Sequence, residues 1–321
     1  MRRMNLKHIL GPRIIKTGLA TFLTALICQL LTFPAIFAVI TSIVSIEPTA
    51  KASLKKAYIR FPASIIGAFI AVMSTYFLGD SPLAYSLAAT VTILVCYQLK
   101  LFDGMLVASL TAVAMVPNIH DAFAYNFFSR LATTTIGLTT AGLVNYLVLP
   151  PKYQQQIQSI ISSIERDSAS LFVKRSKEVL VGNFTSEESM QLLEAINSKI
   201  SKVHQLIKYE HEEYQYHRDM NRKRAMTTIE KRLQVDQLIV LHLSNMIYMP
   251  DQQYFDFSLA EREAYVQILD AMTQNRPVPA PALSVFKSSV KHLNEFDDNQ
   301  LKSHYIYELL MIQKLMKDHL T

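Results

Sequence analysis

Six apolar segments, almost free of charge, fill the first 150 residues of this 321-residue chain and constrain everything that follows. They lie at about 17–33, 35–48, 61–78, 84–99, 104–117 and 128–149. A helix needs roughly 20 apolar residues to cross the ~30 Å hydrocarbon layer, because it rises ~1.5 Å per residue. The first, third and sixth segments are long enough or nearly so. The second and fifth, at about 14 residues, are short for a crossing, so a four-span bundle stands beside the six-span one. Because a bilayer offers no water to unpaired backbone groups, segments of this kind are expected to be helical. The predicted fold class is all-α: a polytopic helical membrane bundle over 1–150, followed by a soluble helical-bundle domain over 151–321.

Charge separates the two halves. Residues 1–150 carry 11 Lys and Arg but only four acids, Glu47, Asp80, Asp103 and Asp121, whereas the remainder carries 21 bases and 22 acids. A nucleic-acid binder would gather its bases into a patch or stripe. Here they stand in short clusters between apolar runs, which excludes nucleic acid as the expected partner and makes them determinants of orientation. With six spans and the N-terminus inside, the inner loops 1–16, 49–60 and 99–103 hold Arg2, Arg3, Lys7, Arg13, Lys16, Lys51, Lys55, Lys56, Arg60 and Lys100, and Lys152 follows the last span. The outer loops hold only Asp80 and Asp121. Lys and Arg collect on the cytoplasmic side, so the expectation is a multi-pass plasma-membrane protein with both termini cytoplasmic. The basic start followed by an apolar run resembles a secretory signal, but PAIFAVITSIVSI is apolar in its turn and no polar mature segment follows. An uncleaved first span is expected.

A shift of 70 residues lays the second and third segments over the fifth and sixth. Ala38 meets Ala108, Thr41 Thr111, Arg60 Arg130, Ile66 Ile136, Gly67 Gly137, Ala71 Ala141 and Tyr76 Tyr146. Arginine inside an apolar segment is rare, which gives the Arg60/Arg130 match more weight than the alanines. The stretches read RFPASIIG and RLATTTIG, with Ser64 or Thr134 four residues after the arginine and Gly67 or Gly137 seven after it. Each unit has three helices, an odd number, so the second enters the membrane from the opposite side: an inverted 3+3 repeat, as in many transporters. The two short segments, Pro34–Pro48 and Gly104–Pro117, fall at matching places, and paired interrupted helices point to a transport site.

The element Arg60-x-x-small-Ser64-x-x-Gly67 resembles the motif of the fusaric-acid-resistance-like superfamily, with Ala63 where the motif usually has Gly. Six apolar segments ending in Val148-Leu-Pro-Pro151, before a helical second half, resemble its aromatic acid exporter branch, in particular the small Gram-positive members with an aromatic acid exporter C-terminal domain. The resemblance covers essentially the whole chain, with one membrane unit where better-studied exporters have two. It implies efflux of aromatic carboxylates.

Candidate residues for substrate or coupling follow from their chemistry. Glu47, at the end of the short second segment, can bind or relay a proton, or pair with Lys51 or Arg60, since an acid near membrane depth needs a partner or water. Arg60 and Arg130 can hold a carboxylate through paired N–H donors, or snorkel to headgroups. Ser64 and Thr134 can contact a substrate or, with Gly67, Gly137 and Ala141, serve close helix packing in lipid. Asp103 is expected to cap the fifth segment. Tyr76, Tyr97 and Tyr146 fit an interfacial belt. Cys28 and Cys96, inside apolar segments, read as packing residues rather than a disulfide or metal pair.

Beyond Pro150-Pro151 the pattern becomes amphipathic, with helices expected at about 152–180, 187–220, 225–248, 258–273, 282–295 and 299–319. The third carries an apolar set of Leu233, Leu238, Leu241, Leu243, Met246 and Ile247. Asn183–Glu188 offers a capping signature, and Pro277, Pro279 and Pro281 a stiff break. His204, His211 and His217 are seven and six residues apart, not the His-x-x-x-His of one zinc-binding face, so no metal is expected. There is no Gly-x-x-x-x-Gly-Lys loop and no Gly-x-Ser-x-Gly elbow, so neither an ATP-driven pump nor a hydrolase is expected, and no cofactor. The expected function is efflux of small organic acids, aromatic ones among them, driven by an ion gradient, with the lipid bilayer, a small organic anion and a second copy of the chain as partners. The alternative is a membrane-anchored scaffold or sensor whose helical domain binds a protein or small ligand.

Overall fold

A computed structural model of the chain describes residues 11–118, 122–148, 153–182, 186–214, 220–249, 255, 257–274, 276–290 and 300–320. Arg2, Arg3, Lys7, Asp121, Pro150, Pro151, Lys152, Asn183 and His217, which figure in the expectations above, lie outside these residues. The described chain is all helical and divides into two compact units, 1–152 with 211–218, and 153–210 with 219–321.

The first unit contains α1 (Pro12–Leu30), α2 (Ala35–Ser45), α3 (Ala50–Leu78), α4 (Pro82–Gln98), α5 (Phe102–Met115) and α6 (Phe123–Leu147), with a 3-10 turn at Val116–Asn118. Proline opens α1 and α4 at the first helical position, where its missing N–H has no intrahelical partner to lose. Two expectations need correction. The stretch 49–60, expected as a loop, is helical: the Thr49 side chain accepts from Ala52 N at 3.1 Å and starts α3 there. The good helix formers Lys51, Ala52, Leu54, Lys55 and Lys56 then carry the helix into the apolar run. Pro62 sits inside α3, where its nitrogen cannot donate the helical bond to the carbonyl of Tyr58. Secondly, Asp103 does not cap α5. It lies inside the first turn, and Leu101 holds the capping position without a side-chain bond.

By length and composition α1 and α3 can cross a membrane, and α2, α4 and α5 are shorter apolar helices. The packing of this unit is inverted relative to a water-soluble core. Its interior is made of small residues such as Ala20, Ala63, Ala68, Ala84, Ala88, Ala108 and Ala141, while Phe22, Leu30, Ile36, Phe77, Leu106 and Phe128 stand exposed. Small residues let helices approach when lipid, not water, receives the large side chains.

The 70-residue correspondence recurs as geometry. A Cβ added to Gly67 would lie 2.4 Å from the carbonyl oxygen of Ala108, and one added to Gly137 would lie 2.4 Å from that of Ala38. These are the same contact made twice, α3 on α5 and α6 on α2. The first helix of each half matches at a shift of 68 instead. The buried stripe of α1 is Lys16, Ala20, Thr24 and Cys28; that of α4 is Ala84, Ala88, Thr92 and Cys96. Both helices end alike: Phe33 N bonds Cys28 O at 2.9 Å and Leu101 N bonds Cys96 O at 2.8 Å. Thr32 and Lys100 take the left-handed place before them, at φ 60° and 58°, where glycine is usual.

The second unit contains α7 (Tyr153–Val181), most of α8 (Ser186–Tyr214), α9 (Met220–Ile247), α10 (Leu259–Thr273), α11 (Ala280–Val290) and α12 (Gln300–Leu320). Its core is of the water-soluble kind. One cluster joins Ile157, Ile161, Ile164, Ile196, Val203 and Leu233; another joins Phe172, Leu243, Tyr265, Phe286, Tyr305 and Ile312. Within the apolar set expected on α9, Leu233, Leu243, Met246 and Ile247 are buried, but Leu238 and Leu241 are exposed. At 100° per residue, Val240 and Ile239 fall on the buried arc and those two leucines on the opposite face. Ser258 caps α10 through a reciprocal box with Glu261. Pro281 falls in the first turn of α11, where it is tolerated.

Candidate functional site

Arg60 and Arg130 occupy corresponding positions, are equally buried at 6 % exposure, and have opposite surroundings. Each of the three nitrogens of Arg60, on α3, has an acceptor. Its Nη1 donates to the carbonyl of Val44 at 3.0 Å, its Nε to that of Asp103 at 3.2 Å, and its Nη2 to Glu47 Oε1 at 3.0 Å. Lys56 Nζ approaches the other oxygen of Glu47 at 3.0 Å. A second layer holds this end of the bundle. Asn145, on α6, donates to the carbonyls of Glu47 and Thr49 and to Ser53 Oγ, at 3.0, 3.1 and 2.7 Å. Lys16, on α1, donates to Asn145 Oδ1 at 2.8 Å. The N-terminus of α3 is further capped by acids at 211–218 in the same unit, Ala50 N donating to Glu213 at 2.6 Å and Thr49 Oγ1 to Glu212 at 2.7 Å.

Arg130, on α6, has one hydrogen bond among the described residues: Nη2 to Thr111 Oγ1 at 2.5 Å. That hydroxyl spends its own proton on Val107 O at 2.7 Å, so it can only accept from the arginine. Nε and Nη1 are buried without a partner there. The Phe37 ring lies 4.1 Å from the guanidinium carbon and covers one face. A cavity of about 400 Å³ opens beside the group, walled by Pro34, Ile36 and Phe37 at the start of α2, Met115 at the end of α5, and Asn126, Ser129 and Thr133 on α6. Burying a cation without an acceptor is costly. A planar fork of free donors, flanked by an aromatic ring and small hydroxyls, suits a carboxylate.

Four of the side chains that close the Arg60 end are not repeated at the corresponding places. Glu47 corresponds to Pro117, Ser53 to Phe123 and Asn145 to Thr75 at the 70-residue shift, and Lys16 to Ala84 at the 68-residue shift. The structure thus brings Glu47 to Arg60 but leaves Arg130 in a separate place. Ser64 and Thr134 are buried at matching positions, each with its hydroxyl unpartnered among the described residues, and neither bonds an arginine. Gly67 and Gly137 are packing contacts. Tyr76, Tyr97 and Tyr146 are exposed, the first two edge-on to Phe123 and Phe102. His204 bonds Gln237. Lys16, Phe37, Lys56 and Asn145 were not among the expected site residues. Lysine and asparagine within an apolar run were the available signals, whereas nothing in the sequence singles out Phe37.

Comparison with known proteins adds the lineage. Residues 8–148 match the model of aromatic acid exporter family member 1. The chain is 48 % identical to a UPF0421 protein of Staphylococcus haemolyticus, over 97 % of this chain and 96 % of that one. It is 46 % identical to a UPF0421 protein of Staphylococcus epidermidis at the same coverage, and 41 % identical to one of Staphylococcus aureus over 97 % of each. The chain belongs to the aromatic acid exporter family. The family match ends at 148, so it contains both arginines, Glu47 and the cavity, while the full-length relatives carry the similarity through the second unit as well.

Proposed function

We propose that this member of the aromatic acid exporter family is a plasma-membrane efflux transporter for small organic acids, with Arg130 as the anion contact. The observation that carries this reading is the buried Arg130 guanidinium, with Nε and Nη1 unpartnered among the described residues, beside a cavity of about 400 Å³. A cavity of that size takes a single-ring or short-chain acid, and Phe37 offers such a ligand an aromatic wall. The scaffold or sensor reading leaves both arginines facing headgroups, and their burial weighs against it.

On this reading α1–α6 form two inverted three-helix units in the membrane. The short helices α2 and α5, about 17 and 21 Å long at 1.5 Å per residue, are braced by Gly137 and Gly67 on the long helices of the opposite half. The Lys and Arg bias puts the Arg60 end and both termini in the cytoplasm, the second unit as a cytoplasmic helical domain, and Arg130 near the outer face. Glu47, beside Arg60 and Lys56, is the carboxylate best placed to couple transport to protons. A homodimer fits the family reading, and no cofactor is needed.

The test is counterflow of labelled benzoate into proteoliposomes of the full-length chain. Wild type should show saturable flux. Arg130→Gln should weaken the apparent affinity about ten-fold or more, as loss of a charge-assisted hydrogen bond does. Unchanged flux in Arg130→Gln would refute the assignment, and no saturable flux for any of a panel of aromatic and aliphatic acids would sink the exporter reading.

A further inference from the structure

Arg60 and Arg130 are one site built twice, and the Arg60 copy already contains a carboxylate. In both, a buried guanidinium on the long third helix of a half points toward the short helix of the same half: Arg60 donates to Val44 O at the end of α2, and Arg130 to Thr111 Oγ1 on α5. The helices holding them make the same close approach: a Cβ added at Gly67 would lie 2.4 Å from Ala108 O, and one added at Gly137 2.4 Å from Ala38 O. Thr41 and Thr111, one in each short helix, make the same bond to the carbonyl four residues before, Phe37 and Val107, at 2.8 and 2.7 Å. The frames match; the contents differ. Glu47 Oε1 fills the Arg60 copy at 3.0 Å, and position 117, where its counterpart would stand, is an exposed proline.

We infer that Arg60 is a second binding site for an organic carboxylate, and that Glu47 is its tethered internal ligand, displaced when the free anion binds. The inference rests on the reading of Arg130 as an anion site. It assigns the two arginines to opposite ends of one transport path. The anion is held at Arg130 in the arrangement seen here, with the Arg60 copy closed by Glu47. It is held at Arg60 when Glu47 has swung away. Lys56, at 3.0 Å from Glu47 and itself partly exposed, can keep the released carboxylate near the opening. The two arginines need not have equal affinity, since the Glu47 copy starts with its ligand in place and a free anion competes against an effective concentration set by the tether.

Benzoate binding to the purified full-length protein in lipid nanodiscs, followed by titration calorimetry, tests this directly. Wild type should bind one benzoate per chain, and Arg130→Gln should abolish it. Glu47→Ala, which removes the internal carboxylate, should bind two, the second lost again in Glu47→Ala/Arg60→Gln. A folded Glu47→Ala protein that still binds one benzoate would overturn the inference. If wild type binds none while Glu47→Ala binds one in an Arg60-dependent way, the Arg130 reading fails and this one stands. The mirror variant Pro117→Glu covers the case in which Glu47→Ala does not fold. A carboxylate supplied at the corresponding place should occupy Arg130 and remove the wild-type benzoate site. Binding retained in a folded Pro117→Glu protein would overturn the equivalence of the two copies.

Discussion

Substituting alanine for Gly137 tests the helix packing that sets the candidate site. The added Cβ would lie 2.4 Å from Ala38 O, 2.9 Å from Thr41 Cβ and 3.2 Å from Thr41 Cγ2. The first of these is about 1 Å inside an ordinary contact. The nearest atom belongs to backbone, and Thr41 is itself buried and bonded to Phe37 O, so neither can turn aside. Relief requires α2 and α6 to separate. Overpacking of this kind costs about 1–3 kcal/mol, and the backbone clash puts Gly137→Ala in the upper part of that range. Gly67→Ala, whose Cβ would meet Ala108 O at the same 2.4 Å, should cost a similar amount. Gly142, five residues along α6 from Gly137, has nothing within 4 Å of its added Cβ, so Gly142→Ala should be neutral or gain up to about 1 kcal/mol from helix propensity. Thermal unfolding of the full chain in one detergent, followed by circular dichroism, reads the difference. At roughly 2–4 °C per kcal/mol, Gly67→Ala and Gly137→Ala should both melt several degrees below Gly142→Ala. Gly137→Ala melting together with Gly142→Ala would refute the close α2–α6 approach, and with it the placement of Phe37 over Arg130.

Other consequences can be checked separately. Arg175, buried on α7, donates to the carbonyls of Met246 and Ile247 at the end of α9 and to Glu178. Arg175→Ala should destabilise the protein by about 3–5 kcal/mol, measured by urea unfolding with a probe in the second unit, and a loss under 1 kcal/mol would show those bonds to be dispensable. Burial, then the nearby Glu165 carboxylate, raises the Asp236 pKa to about 7 although Arg232 pulls it down. Unfolded aspartate titrates near 4, so between about pH 4 and 7 the folded chain holds a proton that the unfolded chain has lost. Stability from this group should therefore fall as pH rises through that window, by at most about 1.4 kcal/mol per unit. Asp236→Asn should flatten the slope, and an unchanged slope would clear Asp236 of responsibility. For orientation, a cysteine at Asp80 in a Cys28→Ala/Cys96→Ala background should react with an impermeant maleimide from outside intact cells. Reaction only after permeabilisation would contradict the outer placement of that turn.

Much of the fold is legible in the chain because its determinants are local. Apolar length and amphipathic period placed all twelve described helices to within about six residues at each end, apart from the start of α3. That start was obscured because Lys51, Lys55, Lys56 and Arg60 look like a loop to a hydropathy average, although lysine and arginine are good helix formers. The Gly67/Gly137 correspondence was visible at 70 residues. The Ala-Thr-Cys stripes of α1 and α4 went unseen because the loops after them offset their register by two.

The sequence by itself determined a first half made of apolar helices with small residues on their packing faces, and a second half of amphipathic helices with a Leu-, Ile- and Phe-rich core. Both follow from patterns with a period of a few residues. It also marked Arg60 and Arg130 as a pair. Only the tertiary structure decided that the two differ. Hydrogen bonds and ion pairs act over about 3 Å, and the groups that meet Arg60 come from positions as distant along the chain as Val44, Glu47 and Asp103. Among the described residues no such set converges on Arg130, where Thr111 and the ring of Phe37 meet a guanidinium whose Nε and Nη1 have no partner.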